Sequence, residues 1–507
     1  MTVFAVSFIL YTGIIVVIGL VAGRNAGKDE EAYFLGGRTL GPWVAALSAS
    51  ASSESGWLTI GLVGWAFTAG MSAYWILPGV LIGYLFNWVV LASRLRSQSG
   101  ELGAITIPDY LSMRFGEGGA HGRAPVVRLI AVLVVLLAMW LYVAAQFAAA
   151  GKAFESAFGL NYQLGVALGA LIVLFYTVFG GFRAACWTDF AQAIVMFVAL
   201  VIFPVWALSS TIGWTGMQES LGSVQDANLR AFWPEKTGIA FVGFLLGSGA
   251  LGINFGYPGQ PHVLVRFLAL KSKRDAIPGA VIAFTWGVLV LWGAVTLGLL
   301  VRAMTIDGAE WTGPLAQQLA DGAGDAGETG LVLAAQALLP GILGGVVLAA
   351  VLSAICSTAD SQLVVAASAA ANDVYARLVN PKGAKAWINR LTVLVLGIAA
   401  VLIVLDPGVQ VFTFVLDYGW AVLGASFGPQ VLLALFWKRA SRAGAIAGML
   451  FGASTALLWK IQLDNELAGI EVYNLPLAFC VALVANIIVS LILPDPGPDT
   501  MADSNGA

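Results

Sequence analysis

The sequence predicts an all-α polytopic membrane protein with about 13 transmembrane helices, and three observations predict it. Of 507 residues, 59% are hydrophobic and 10% charged, against roughly 25% charged in an ordinary soluble domain. The apolar residues recur in blocks of about 20, the length that carries a helix across a hydrocarbon core of about 30 Å. Lysine and arginine gather in alternate connections, as they do on the cytoplasmic side of a bilayer. Most of the 60 glycines lie inside the apolar blocks, where they let membrane helices approach closely and do not signal disorder.

In chain order the thirteen spans are 3–23, 41–70, 73–95, 126–150, 161–180, 187–209, 237–268, 276–303, 327–372, 387–405, 410–437, 441–461 and 473–493. The first is longer than a signal-peptide core and lacks a basic leader, so it reads as a span. The ninth is too long for one straight crossing, and an extramembrane helix is expected after it. With the N-terminus outside, the inner connections hold 20 of the 25 basic residues, among them Arg38, Arg94, Arg96, Arg183, Lys271, Arg377 and Lys438. The outer 307–328 loop has five acidic residues and no basic one. These assignments place the chain in the inner (plasma) membrane as one domain, 1–494. A short tail, 495–507, is expected to be cytoplasmic and disordered.

Two spans differ from the rest. The second carries a mid-membrane run of small polar residues, Ser48 to Gly56, and the seventh is crowded with glycine and proline from Gly247 to Pro261. Such residues break a helix and free its carbonyls, which membranes tolerate only where the backbone is buried in protein or lines a cavity. Spans two and seven are five apart. Interruptions at matching positions predict inverted repeats, about 41–209 and 237–437, with a site at the midplane. Spans one, twelve and thirteen are then peripheral.

Four intramembrane carboxylates stand out: Glu54, Asp189, Asp360 and Asp417. Each needs a cation, a donor or a proton. Asp189 reads either as a functional acid or as a helix-start carboxylate paired with Arg183. Ser357, Asp360 and Ser361 share a helix face. That face offers hard oxygen ligands to an alkali cation, or a polar seam between helices. Glu54 and Asp417 read equally as protonated, cation-binding or salt-bridged. A phosphate-binding glycine loop with lysine is lacking, which disfavours ATP-driven pumping. No nucleophile–base constellation appears, so an enzyme is not expected. The three cysteines and two histidines have no metal spacing. A net charge of −3 gives no reason to expect nucleic acid, and no obligate protein partner is evident.

The chain resembles the sodium/solute symporter family, from about Tyr33 to Leu493. The resemblance rests on Tyr33 to Arg38, Gly41-Pro-Trp-Val44, Ser55-Gly-Trp57, Ile107 to Tyr110, Trp187-Thr-Asp189, Gly259-Gln-Pro-His262, Arg266-Phe267, Ser357-Thr358 and Phe427-Gly-Pro429. It implies a five-plus-five inverted-repeat core of the LeuT-like kind. It also implies import of a small organic solute by alternating access, with sodium as coupling ion and proline as leading solute. The shared sodium site would use carbonyls of Ala51, Glu54 and Ala354 with the hydroxyls of Ser357 and Thr358. A second sodium or coupling site would fall on Asp189, Asp360 and Ser361 with Ser357. The solute pocket would take Ser55, Gly56, Ile253, Tyr257 and Pro261, with Trp420 and Phe427 as a wall. Two departures matter. Ser53 stands where proline-transporting members have an aspartate, and Ile253 where they have a tryptophan. Another amino acid, a small carboxylate and proton coupling therefore stay open, and a sensor or channel is disfavoured.

Overall fold

The computed structural model describes residues 2–23, 30–116, 124–224, 227–379, 386–467 and 470–495. Helix is found in each of the thirteen predicted intervals. The helices that position the site are α1 (Thr2–Gly23), α2 (Pro42–Ser53), α3 (Leu62–Ala69), α4 (Ile76–Leu85), α5 (Pro125–Phe158), α6 (Tyr162–Phe197), α7 (Gly238–Leu245), α8 (Pro261–Leu268), α9 (Ala276–Ile306), α10 (Gly341–Ser368), α11 (Ala386–Ile403), α12 (Ala421–Phe436), α13 (Arg442–Leu463) and α14 (Asn474–Ile492). The predicted tail beyond residue 495 lies outside the described residues, as do the basic residues Arg24, Lys28, Arg123, Lys382 and Lys385.

Among the described residues eight helical segments are long and apolar enough to cross a membrane, and three shorter apolar ones accompany them. The longest, Trp57–Leu102, has 46 residues. At 1.5 Å per residue it would be about 69 Å long, twice a bilayer core. It is two helices, because Gly70 closes α3 with φ 71°, ψ −154° and turns the chain into α4.

Two expectations are corrected. Residues 181–186, expected as a connection, are helical. Gly181 alone turns the chain, at φ 68°, ψ 177°, a conformation a side chain would oppose. The surplus of the ninth interval is a short helix before the span, Gly330–Leu338. Pro340 then caps α10, which continues as helix to Val379. Proline suits a helix start because its missing N–H has no partner there anyway.

Burial sorts the helices by place. In the apolar windows of α10 and of the Val411–Phe436 segment, 83% of residues are buried, against 33% in α13 and 39% in α14. Alanine and serine on α10 let α1, α2, α5 and α6 pack around it. The outer faces of α13 and α14 present Leu450, Phe451, Leu458, Val484 and Ile488, as lipid-facing surfaces do.

Candidate functional site

The second span breaks where its small polar run ends. Helix α2 closes at Ser53, with Glu54 beyond it at φ −97°, ψ 70°. Helix resumes at Trp57. The lost turns free carbonyls, and α10 supplies donors to them. Ser357 Oγ donates to the Ala51 carbonyl at 3.0 Å and reaches the Ala354 carbonyl at 3.2 Å. Thr358 Oγ1 donates to the carbonyls of Ala51 at 3.3 Å and Ser52 at 3.1 Å. Four of the five expected residues of the first sodium site, Ala51, Ala354, Ser357 and Thr358, thus meet at one buried crossing of α2 and α10. Their oxygens are neutral and hard, the donor set of a weakly held alkali ion.

The fifth, Glu54, is expected to contribute its backbone carbonyl, and its side chain points to other partners. Glu54 is fully buried, with Oε1 accepting from the Tyr84 hydroxyl at 2.6 Å and Oε2 from the Trp286 indole N–H. Tyr84 also meets Ser53 Oγ at 3.1 Å. The carboxyl is therefore held by uncharged donors on α4 and α9.

Asp189 finds a partner that the sequence reading did not assign. Arg266 of α8 pairs with Asp189 Oδ2 at 3.0 Å, and both side chains are fully buried. The same guanidinium donates to Ser52 Oγ at 2.9 Å and to Ser361 Oγ at 2.5 Å through Nη2, and to Ser48 Oγ at 3.1 Å through Nε. Ser48 Oγ donates to Asp189 Oδ2 at 2.6 Å. Two residues of the expected second cation site, Asp189 and Ser361, are thus joined by an arginine that ties α2, α6, α8 and α10 together. Asp360, next to Ser361 on α10, is also buried. Arg183, the expected partner of Asp189, lies against Gly36.

The seventh span leaves the α-helix over Leu246–Gln260 between α7 and α8, with Leu251–Gly259 tightened into a 3-10 helix and Pro261 as the first residue of α8. Gln260 Nε2 donates to the carbonyls of Gly256 and Trp420, each at 3.1 Å. Trp420 Nε1 donates to the Ile253 carbonyl at 3.0 Å. The Tyr257 ring stands edge-on to Trp420 at 4.7 Å and to Tyr84 at 5.2 Å. Ile253, Tyr257 and Trp420 therefore pack into one buried cluster. Phe427 is buried about two turns further along α12. Facing the other break, Gln146 of α5 accepts from the Gly56 N–H at 2.9 Å and donates to Ser55 Oγ at 3.2 Å.

The acidic face carries its own ion pairs. Asp417 binds Lys460 at 2.8 Å, and Lys460 also binds Asp464. These residues, with Trp65, Phe412 and Tyr418, line a cleft of about 550 Å³. Below it Phe412 stacks on Trp65, with ring centroids 5.2 Å apart and planes 3° from parallel. Lys152 binds Asp325 and Glu328, each at 2.6 Å. Glu328 also accepts the amides of Val411 at 2.8 Å and Phe412 at 3.4 Å. Burial holds the Glu328 carboxyl above the usual glutamate range, against the pull of the Lys152 ammonium.

Sequence reasoning missed Arg266, Gln146, Tyr84, Trp286 and Lys460 as partners. Arg266 and Lys460 carried a signal, a charge inside an apolar segment. The others are ordinary residues of apolar helices and carried none.

The chain matches the family model described as "Sodium:solute symporter family" over residues 33–452. A sodium/proline symporter of Staphylococcus aureus strain JH9 is 35% identical over 98% of this chain and 94% of its own length. That of strain NCTC 8325 matches to the same extent. A solved structure of a Na+-coupled sialic acid symporter, substrate-bound and outward-open, superposes with a TM-score of 0.75 at 17% identity. The match covers 98% of this chain and 99% of that one.

Proposed function

We propose, from the premise that this chain belongs to the sodium:solute symporter family, that it imports a small amino acid with sodium by alternating access, proline being the leading solute. As a member it is an integral membrane transporter coupled to sodium, not an enzyme. The finer reading has thirteen spans in two inverted repeats, with the N-terminus outside and the C-terminus in the cytoplasm. Proline is the solute of the Staphylococcus aureus relatives.

One observation carries the reading. The hydroxyls of Ser357 and Thr358 close on the carbonyl of Ala51, one turn before the break at Glu54–Gly56. A sodium ion bound there joins α2 to α10 and fixes the geometry of the break, where Ser55 and Gly56 await the solute. Coupling then follows physically: the solute site is well formed only when the ion holds its floor, so each ligand raises the affinity for the other. Closure is assigned to two elements. On the basic face, the Asp189–Arg266 pair bars the way from the ion site to the interior. On the acidic face, Phe412 stacked on Trp65 bars the way to the outside. Asp189 and Ser361 serve here as the closing contact, and Arg266 supplies the cation they hold when closed. Ile253, Tyr257, Pro261, Trp420 and Phe427 are the solute wall, and Asp360 adds a carboxylate to the α10 face.

Purified protein in liposomes, given labelled proline with sodium and pH gradients imposed separately, tests this reading. Uptake driven by sodium alone supports it. Uptake driven by a pH gradient without sodium would refute sodium coupling, and sodium-driven uptake of other solutes but not proline would refute the solute.

A further inference from the structure

Gln146 has no part in the roles assigned so far, yet it sits on the groups expected to take the solute. Its side chain is fully buried and projects from α5 into the break of the second span. Its Oε1 accepts the Gly56 N–H at 2.9 Å and its Nε2 donates to Ser55 Oγ at 3.2 Å. The orientation of the carboxamide is fixed chemically, because the Gly56 amide can only donate, so the atom facing it is the oxygen. Gly56 opens the outer half of the broken span, and the Trp57 N–H follows it, bonded to Ser55 Oγ at 3.3 Å. A helix start with its amides turned inward is where an anionic group of a ligand binds. Space there is tight: a Cβ on Gly56 would lie 2.7 Å from the Ala149 Cβ and 3.2 Å from Gln146 Oε1.

A carboxamide and a carboxylate are nearly the same shape, with two heteroatoms on one planar carbon. A carboxylate placed where Gln146 now lies would accept from the Gly56 N–H with one oxygen and from the Ser55 hydroxyl with the other. We propose that Gln146 is a solute-selecting residue whose carboxamide occupies the carboxylate seat formed by Gly56 and Ser55, so that a solute carboxylate enters only by displacing it. The proposal rests on the assignment of Ser55 and Gly56 to the solute pocket. It adds a consequence for substrate class. Displacement exchanges one pair of hydrogen bonds for another, so a carboxylate gains less here than at an open seat. The wild-type pocket is therefore tuned against simple carboxylates and toward solutes that bind mostly through their ring or ammonium end, against Tyr257 and Trp420. Gln146 is a selecting residue and takes no part in sodium binding. It lies on α5, whereas Ala51, Ser357 and Thr358 lie where α2 crosses α10.

Binding of labelled L-proline and of pyrrolidine to the full-length protein in liposomes, at saturating sodium, tests this. Pyrrolidine keeps the ring and amine and has neither a carboxylate nor a carboxamide to place in the seat. In Gln146→Ala the seat is open, and the half-saturating concentration of proline should fall by about fivefold, the worth of about one net hydrogen bond. That of pyrrolidine should change by less than about twofold, within the usual scatter of such effects. Gln146→Glu fills the seat with a fixed negative charge, and should weaken proline by more than about tenfold without weakening pyrrolidine, since a like charge disfavours the anion. A general packing defect would move both ligands together. If Gln146→Ala weakens proline, or leaves the proline-to-pyrrolidine ratio as in wild type, the proposal is wrong. So is it if neither wild type nor Gln146→Ala binds proline. Sodium titration at fixed proline separates the two readings. Loss of sodium dependence with the selectivity shift intact would overturn sodium coupling and leave the role of Gln146 standing.

Discussion

Replacing Asp189 by asparagine should open the basic face of the transporter. The substitution keeps the shape and one acceptor but removes the charge that faces Arg266 at 3.0 Å. Arg266 would then be left fully buried with hydrogen bonds to Ser48, Ser52, Ser361 and the His262 carbonyl, partners that are all neutral. Removing one partner of a buried ion pair costs about 3–5 kcal/mol. The retained amide oxygen offsets part of this, which leaves about 3 kcal/mol against the closed arrangement, or roughly a hundredfold in its population relative to the open one. Cys186 is a built-in reporter, since it lies one turn before Asp189 on α6 and is fully buried. In a Cys356→Ser, Cys480→Ser background, Cys186 should react with a thiol reagent about a hundred times faster when Asp189 is asparagine, if labelling follows the open population. Adding Arg266→Met removes the stranded charge and should return the rate most of the way, because a neutral pair often replaces a buried ionic one without loss. A Cys186 rate unchanged by Asp189→Asn would refute the closing role of this pair.

Further outcomes follow from the same geometry. Tyr257→Ala should raise the half-saturating solute concentration far more than that of sodium, because the ring packs against Trp420 and Tyr84 and makes no hydrogen bond to Ser357, Thr358 or Ala51. Ile253→Trp should re-rank a panel of competing amino acids; an identical ranking would remove Ile253 from the pocket. A potassium–valinomycin potential, inside negative, should accelerate uptake of a zwitterion with sodium, each net charge gaining about 2.3 kcal/mol per 100 mV. Indifference to the potential would contradict net charge movement. Glu328 binds protons more tightly folded than unfolded, since burial raises it above the ordinary range. Its contribution to stability is therefore lost as pH rises out of that range. Thermal stability of the wild type should fall over that window, and Glu328→Gln should flatten the fall.

The outline of the fold was legible because apolar length and basic asymmetry are set by the bilayer and not by tertiary detail. The two breaks were legible for a related reason. A run such as Ser48–Gly56 or Gly247–Pro261 frees backbone groups, which membrane depth tolerates only inside protein or beside a cavity. What the sequence could not carry is direction. Ser53 and Glu54 are neighbours, yet the end of α2 leaves Ser53 on the helix and turns Glu54 toward Tyr84 and Trp286. A helical wheel drawn through the run cannot foresee that turn. For Asp189 the nearest basic candidate in the sequence was Arg183, six residues away, in one of the two readings open; its partner Arg266 comes from 77 residues further on, and only packing brings them together. Asp417, read three ways, is salt-bridged to Lys460 of α13. The hinge at Gly181 went unseen for the opposite reason. A single residue with positive φ replaces a whole loop, and composition has no mark for it.

The most direct measurement is the sodium dependence of proline uptake in Ser357→Ala, Thr358→Ala double-variant liposomes. Both hydroxyls lie within 3.3 Å of the Ala51 carbonyl, so the variant loses two oxygens from one crossing of α2 and α10. The half-saturating sodium concentration should rise at least about tenfold, equivalent to about 1.4 kcal/mol, with maximal uptake recoverable at high sodium. An unchanged sodium dependence in protein that still transports would contradict a sodium site at this crossing.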